Sequence, residues 1–95
     1  MSLEEKRRLL LALDSLIRSS FRGTPLQYAE RLKISRSTFF RLVDYMKGEL
    51  QTPIVYDAGF GKYVYEKEGM LLFGFVSFDI VDKEVLKKLR QWHSN

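Results

Sequence analysis

Leucine and isoleucine recur with three- and four-residue spacing near the start of the chain. The apolar positions are Leu9, Leu10, Leu13, Leu16 and Ile17. On a helix this spacing forms one stripe, so the pattern predicts a first helix whose stripe faces a core. Arg7, Asp14 and Arg18 then face outward. Leu11 faces outward as well, where it is either an ordinary exposed leucine or is covered by the C-terminal segment or a second subunit.

A second helix is predicted after the break at Gly23. Thr24 can cap a helix, Pro25 suits the first helical position, and Gln27 completes a capping box with Thr24. These residues predict a short helix from about residue 25 to about residue 32. Its predicted inward positions are Leu26, Ala29 and Leu32.

The third helix is predicted to follow a tight turn. Lys33 and Ile34 form the turn, in which Ile34 can fill the gap between two helices, and Ser35 is a suitable N-cap. The helix should extend from about residue 36 to about residue 49. Its apolar stripe is Phe39, Leu42, Val43, Met46 and Leu50. The opposite side carries Ser37, Phe40, Arg41, Asp44 and Gly48. Two helices joined in this way are expected to form a helix-turn-helix.

A β-hairpin is predicted next. Residues 54–56 and 63–65 are β-branched and aromatic, which favours strands, and they flank a segment in which Gly59 and Gly61 supply the freedom that a turn needs. Pro53 precedes the first run, where no ladder hydrogen bond is lost. We expect this hairpin to be a wing beside the third helix.

The C-terminal part is predicted to contain one strand and one helix. Residues 70–78 are apolar on both faces if extended, which predicts a single strand buried on each side. Asp82 can cap a last helix whose apolar stripe is Val85, Leu86, Leu89 and Trp92. This helix either covers the strand or the first helix, or makes a two-fold contact with another chain. A homodimer through residues 70–95 is therefore an open alternative.

Length and composition predict a single domain over residues 1–95, with three helices and a wing in 1–69 and the last strand and helix in 70–95. The chain has 95 residues and no cysteine, and its one histidine is His93. Disulfides and thiolate metal sites are excluded, and we expect no cofactor. Asp14 and Arg18 interrupt the N-terminal apolar run, so we expect no export signal, no membrane partner and a cytoplasmic location.

The formal net charge of +4 is concentrated in the N-terminal half. Residues 1–50 contain ten Lys or Arg against six Asp or Glu, whereas residues 51–95 contain six of each. Between residues 18 and 47 the acids are Glu30 and Asp44, and the bases are Arg18, Arg22, Arg31, Lys33, Arg36, Arg41 and Lys47. Such a field attracts polyanions, although a solvated surface of mixed charge has the same composition.

Three segments carry a more specific pattern. Residues 23–32 read G-T-P-x-x-x-A-E-R-L, residues 34–42 read I-S-R-S-T-x-x-R-L, and residues 53–65 contain P-I-x-Y-D and G-x-Y-x-Y. With the first helix, these segments cover roughly two thirds of the chain. They resemble the winged helix-turn-helix DNA-binding domains of bacterial transcription regulators of the DeoR and biotin-operon-repressor type. The resemblance implies an α+β fold and double-stranded DNA as partner.

Two residues depart from that family pattern. Lys33 stands where such turns usually carry glycine, which predicts a small strain or a slightly different turn geometry. Asp44 stands on the outward side of the third helix, where a carboxylate repels phosphate. Either it accepts a hydrogen bond from a cytosine amino group, or it pairs locally with Arg41 or Lys47, and local pairing is our expectation.

The resemblance implies that the third helix lies in the major groove. The candidate DNA-binding residues are Lys33, Arg36, Ser37, Thr38, Phe40, Arg41 and Lys62. Ser37, Phe40 and Arg41 are the candidates for base edges, because arginine can bind guanine with two hydrogen bonds and an aromatic edge can touch a thymine methyl. The alternatives are that Phe40 packs against the wing and that Arg41 pairs with Asp44 or Tyr45.

The remaining candidates are expected to contact phosphates. Lys33, Arg36 and Thr38 lie near the start of the third helix, where backbone amides and the helix dipole favour an anion. Lys62 and the wing tip can reach the DNA backbone or the minor groove. Phe60 at that tip is expected to fold back onto the hairpin; its alternatives are a wedge into a base step and a contact with a partner.

We do not expect an enzyme. The sequence has no G-x-x-x-x-G-K-[ST], no G-x-S-x-G and no pair of histidines, and Gly59-Phe60-Gly61 lacks the following helix of a phosphate loop. The main competing function is a winged helix that binds protein and not DNA, which exposed aromatic residues would favour. Structured RNA would use the same positive charges as DNA.

Overall fold

Hydroxyl side chains begin each of the three helices. The structure, a computed structural model, describes residues 1–72 and 74–77. Its helices are α1 (Leu3–Arg18), α2 (Pro25–Leu32) and α3 (Arg36–Gly48). The prediction for α2 is confirmed, and α3 ends one residue before the predicted end, with Glu49 as its C-cap.

The helix caps account for where these segments start. Ser2, Thr24 and Ser35 each accept a hydrogen bond from the backbone N–H three residues later, at 3.1, 3.2 and 3.1 Å. These bonds satisfy N–H groups that have no partner inside the helix. The predicted capping box is present, because the backbone N–H of Thr24 donates to Oε1 of Gln27 at 2.8 Å.

An apolar core lies between the helices and the first hairpin. Its buried residues are Leu9, Leu10, Leu13, Ile17, Tyr28, Ala29, Leu32, Phe39, Leu42, Val43, Met46, Leu50, Ile54 and Tyr63. All five apolar positions predicted for α3 and its end are buried, and Leu16 on α1 is only partly buried. Leu11 faces outward as predicted.

The predicted inward face of α2 is wrong at one position. Leu26 is 48% exposed, whereas Tyr28, which the apolar pattern did not include, is fully buried. Successive residues of a helix are separated by about 100°, so Leu26 lies about 160° from Tyr28 and about 120° from Leu32, at the edge of the buried stripe. Tyr28 buries more apolar area than Leu26 would, and its hydroxyl has hydrogen-bond partners in the core.

The predicted hairpin is confirmed. Strands β1 (Ile54–Asp57) and β2 (Lys62–Tyr65) pair antiparallel, with Ile54 opposite Tyr65 and Asp57 opposite Lys62. At the turn, Gly61 has a φ of 66°, a conformation that glycine adopts without steric cost. The first hairpin therefore follows α3 directly in the chain and packs on the core through Ile54 and Tyr63.

The prediction of one strand over residues 70–78 is wrong. The structure has two short strands there, β3 (Gly69–Leu72) and β4 (Gly74–Ser77), which pair antiparallel with Leu72 opposite Gly74. An uninterrupted apolar run has no alternation that would mark a chain reversal. Gly74 lies within the run and is of a type that favours a tight bend.

The described elements form an α+β arrangement of three helices followed by two small antiparallel strand pairs, and the three helices with the first hairpin are compatible with a winged-helix layout. The predicted last helix, with Val85, Leu86, Leu89 and Trp92, lies outside the described residues. Within residues 1–72 and 74–77, none of the helices combines the length and the hydropathy needed to cross a bilayer.

Candidate nucleic-acid interface

The outer side of α3 is open to solvent. Arg36, Ser37, Phe40, Arg41 and Asp44 are all exposed, as predicted, while Phe39 and Met46 on the opposite side are fully buried. Burial of the apolar stripe fixes the rotation of the helix about its axis. As a result, the polar and basic side chains of α3 face away from the core.

The turn before α3 places a cation next to that face. Lys33 adopts the left-handed conformation, with φ 59° and ψ 41°, and its side chain is exposed. The backbone N–H of Lys33 donates to the carbonyl oxygen of Glu30 at 3.1 Å, and that of Ile34 donates to Ala29 at 3.0 Å. These bonds end α2 in the way that normally favours glycine. The predicted strain at Lys33 is therefore present in the turn.

The first turn of α3 carries a cluster of hydroxyl groups. The Ser35 hydroxyl donates to Oγ1 of Thr38 at 2.9 Å and lies 3.2 Å from Oγ of Ser37. Thr38 is partly buried, whereas Ser37 is exposed. Ser37 is thus the more accessible of the two predicted contacts at this end of the helix.

Arg36 and Phe40 lie side by side on the outer face of α3. The guanidinium carbon of Arg36 is 5.4 Å from the centroid of the Phe40 ring, within the range of a cation–π contact. The Phe40 ring remains 38% exposed and lies 5.9 Å from the ring of Phe39, centroid to centroid. Phe40 therefore packs on its own helix and keeps part of its ring accessible.

Arg41 has no ion pair with Asp44 among the described residues, and no hydrogen bond there joins it to Tyr45. Tyr45 contacts α1 instead, where Nζ of Lys6 lies 3.5 Å from the centroid of its ring. The expected local pairing of Asp44 is wrong, because within the described residues Asp44 forms no salt bridge with Arg41 or Lys47. Both charged groups remain exposed on the same helix face.

The tip of the first hairpin presents an aromatic ring beside a cation. Phe60 is 62% exposed, so the expectation that it folds back onto the hairpin is wrong. Nζ of Lys62 lies 5.7 Å from the centroid of the Phe60 ring. Lys62 is partly buried and lines an open cleft of about 350 Å³ beside α1.

Three tyrosine hydroxyls, which the sequence patterns did not single out, join the first hairpin to the helices. The Tyr28 hydroxyl donates to the carbonyl oxygen of Phe21 and accepts from the backbone N–H of Tyr63 at 3.0 Å. Tyr56 donates to the carbonyl oxygen of Gly23 at 2.9 Å. Tyr65 donates to Oδ1 of Asp14 at 2.6 Å. These bonds fix the hairpin relative to α1 and α2.

Burial raises the pKa of Tyr28, Tyr63 and Tyr65. Desolvation by burial raises the pKa of Tyr63 to about 12, with a further increase from the neighbouring Tyr56 and Tyr28. Burial also raises the pKa of Tyr28, and the hydrogen bond from the Tyr63 backbone partly opposes that increase. Burial and the hydrogen bond to Asp14 raise the pKa of Tyr65. The hydroxyls of Tyr28, Tyr63 and Tyr65 therefore keep their protons at neutral pH, and those of Tyr28 and Tyr65 keep their hydrogen bonds.

No group of three or more His, Cys, Asp or Glu side chains that could hold a metal ion occurs within the residues that the structure describes. Comparisons of the chain with protein-family models, with curated proteins and with solved structures find no match, so the family resemblance of the three motifs stays a prediction.

Proposed function

We propose that this protein binds double-stranded DNA as a transcription regulator of the winged helix-turn-helix type, with α3 in the major groove. The observation that carries the proposal is the exposed outer face of α3, on which Arg36 and Arg41 follow the exposed Lys33 of the preceding turn. Among the described residues, Arg41 has no carboxylate partner. Its guanidinium group is thus available to a ligand.

The chemistry of this face suits a nucleic acid. Duplex DNA carries about one negative charge per 1.7 Å of helix axis, and each cation that meets a phosphate releases bound counterions. Asp44 is the one acid on the outer face of α3, and it opposes the basic side chains. The basic side chains of this face favour an anionic partner, and the Asp44 carboxylate favours hydrogen-bond donors. Duplex DNA offers both, because base edges in its major groove include donors.

We assign the contacts with base edges to three exposed residues of α3. Arg41 can donate two hydrogen bonds to guanine, Ser37 can bind the edge of any base, and the exposed part of the Phe40 ring can contact a thymine methyl. Arg36 is held against the Phe40 ring at the helix start, which favours a phosphate contact beside the bases.

We assign the phosphate contacts to residues near the N-terminus of α3 and to the first hairpin. Lys33 and Thr38 are near the N-terminus of α3, where free backbone amides also favour an anion. Lys62 is assigned to the DNA backbone or to the minor groove next to the hairpin. These contacts orient the protein and are independent of base sequence.

Fluorescence anisotropy with a labelled mixed-sequence duplex tests the proposal. Affinity should fall by roughly tenfold to a thousandfold between low and physiological salt, because several phosphates are neutralised. Arg41→Ala should weaken binding more than Arg8→Ala, a matched loss of one exposed arginine on α1. Equal losses from the two variants would contradict the assignment to α3.

A second candidate function is protein binding through the same winged helix without DNA. It is favoured by two aromatic rings that remain exposed, Phe40 at 38% and Phe60 at 62%, since aromatic residues are enriched at protein interfaces. This candidate predicts no binding of the duplex even at low salt, so the anisotropy measurement separates the two functions.

The proposed regulator would act in the cytoplasm, and we propose that it forms a homodimer through residues 70–95. A two-fold dimer would place two α3 helices on two half-sites of a palindromic sequence. Sedimentation equilibrium should then give twice the chain mass of 11.2 kDa. A mass of one chain at micromolar concentration would exclude the dimer as the free form of the protein.

A further inference from the structure

The tip of the first hairpin displays a large apolar side chain on a rigid backbone. The backbone N–H of Phe60 donates to Oδ1 of Asp57 at 3.1 Å, and that of Gly61 donates to the Asp57 carbonyl oxygen at 2.7 Å. Gly61 then turns the chain into β2 through its φ of 66°. The backbone of the tip is therefore tied by its own hydrogen bonds, and the Phe60 that it carries is 62% exposed.

The tip is also tied to the rest of the molecule. The carbonyl oxygen of Gly61 accepts a hydrogen bond from the backbone N–H of Gly23 at 2.7 Å, and the Tyr56 hydroxyl donates to the Gly23 carbonyl oxygen at 2.9 Å. Both bonds join the hairpin to the segment between α1 and α2. The backbone that carries Phe60 therefore loses little freedom when a partner binds, which favours binding.

A chain of ring contacts fixes the hairpin relative to α3. Ring centroids are 4.9 Å apart for Tyr56 and Tyr63, 5.5 Å for Tyr63 and Phe39, and 5.9 Å for Phe39 and Phe40. The exposed ring of Phe40 on α3 and the hairpin that carries Phe60 are thus parts of one packed unit. The position of the hairpin relative to α3 is therefore set by packing within the protein.

The charge around the tip suits a nucleic acid more than an apolar protein surface. Nζ of Lys62 lies 5.7 Å from the centroid of the Phe60 ring, which places a cation next to the apolar group. The nearby Asp57 carboxylate accepts from the Phe60 backbone, so its charge is partly satisfied within the turn. A ring that enters a base step beside a cation that meets a phosphate is the arrangement used by proteins that kink DNA.

We infer that Phe60 is a wedge that inserts into a base step of the bound duplex, next to the site contacted by α3, and that the protein thereby bends its DNA. The inference rests on the proposed DNA-binding function. Insertion of an apolar side chain partly unstacks a step and kinks the duplex by roughly 20–90°. The ring replaces base–base stacking with base–aromatic stacking on one side of the step.

The test uses the full chain and duplexes recovered by selection from random sequence. Each duplex carries 2-aminopurine at one of a series of successive positions, and a second set carries a donor and an acceptor dye at its two ends. With the wild-type chain, the fluorescence of 2-aminopurine should rise at one step, and energy transfer should report a bend. Phe60→Ala should lose both responses and weaken binding by about tenfold, the loss expected for one stacking contact.

Two matched variants keep the test specific. Phe60→Leu retains an apolar wedge and should retain most of the bend, whereas Ala58→Ser alters another exposed residue of the tip and should change neither response. Circular dichroism checks that each variant is folded. Duplex binding by the wild-type chain without unstacking or bending, or an unchanged bend in Phe60→Ala, would overturn the wedge and leave the proposed function standing. Failure of the wild-type chain to bind any duplex would overturn both.

Discussion

At the scale of single residues, Lys33 determines how α2 leads into α3. It occupies the left-handed region at φ 59°, and the backbone N–H groups of Lys33 and Ile34 close the end of α2. A residue other than glycine in that region carries a cost of roughly 1–2 kcal/mol from its Cβ atom. The exposed lysine contributes a cation beside α3, so this turn combines local strain with positive charge.

Replacement of Lys33 separates those two contributions. Lys33→Gly should raise the free energy of unfolding by about 0.5–1 kcal/mol, since the relief of strain exceeds the extra entropy of glycine in the unfolded chain. Lys33→Ala removes the same charge but keeps a Cβ atom, so it should leave stability nearly unchanged. Urea denaturation of the three proteins measures this difference, and equal stabilities for the two variants would contradict it.

Arg41 and Lys33 should differ in how they affect DNA recognition. Arg41→Ala should relax base preference at one position by about 1–3 kcal/mol, because arginine is assigned to a base edge. Lys33→Ala should weaken all duplexes alike, because lysine is assigned to a phosphate. Competition binding with a selected duplex and its single-base variants checks both expectations. Equal, small losses of affinity in both variants would contradict the assignment of base recognition to α3.

At the scale of elements, the position of the first hairpin depends on tyrosine hydroxyls. Tyr28 on α2 accepts from the backbone N–H of Tyr63 on β2 and donates to the carbonyl oxygen of Phe21. Its ring also makes edge contacts with the rings of Phe21 and Tyr63, both at 4.9 Å between centroids. The hairpin and α2 therefore share one buried hydrogen-bonding group.

Removal of that hydroxyl should loosen the hairpin. Tyr28→Phe leaves the buried N–H of Tyr63 without this acceptor, so it should lower the free energy of unfolding by about 1–3 kcal/mol. Tyr56→Phe is the comparison, since it deletes a less buried bond to Gly23 and should have a smaller effect. Hydrogen exchange at the Tyr63 amide provides a local readout. Unchanged exchange in Tyr28→Phe would show that this bond does not hold the strand.

Sequence patterns were sufficient where a local physical rule determines the element. Thr24, Pro25 and Ser35 predict where α2 and α3 begin, and the apolar stripe of α3 predicts which of its sides faces solvent. The reversal between β3 and β4 was missed because a uniform apolar run has no period. Exposure of Phe60 was missed because it depends on the Asp57 turn, and the role of Tyr28 depends on groups far away in the chain.

At the scale of the whole molecule, stability should depend on the protonation of buried tyrosines. The pKa of Tyr63 is about 12 in the folded chain, against an ordinary value of 10.0, and those of Tyr28 and Tyr65 are also raised. The unfolded chain therefore loses these protons at lower pH than the folded chain does. Tyrosine ionisation therefore leaves the free energy of unfolding unchanged below pH 10 and lowers it as the pH rises toward about 12.

Urea midpoints at about pH 9 and about pH 11 measure that loss, and the midpoint should be lower at the higher pH. Tyr63→Phe has no ionisable group at this position, so its midpoint should fall less between the two conditions. If the wild-type urea midpoint is the same at both pH values, ionisation of these tyrosines does not lower the free energy of unfolding.

The shared contacts of Tyr28 have a consequence for how this sequence can diverge. Its ring lies 6.0 Å from that of Phe39 on α3 and 4.9 Å from that of Tyr63 on β2, while its hydroxyl binds two main-chain groups. A smaller residue at position 28 would leave a void that enlargement at a neighbouring ring position, 21, 39 or 63, could fill. Natural variants of the chain should therefore change position 28 in concert with these neighbours, whereas the outward positions of α3 can vary independently of it.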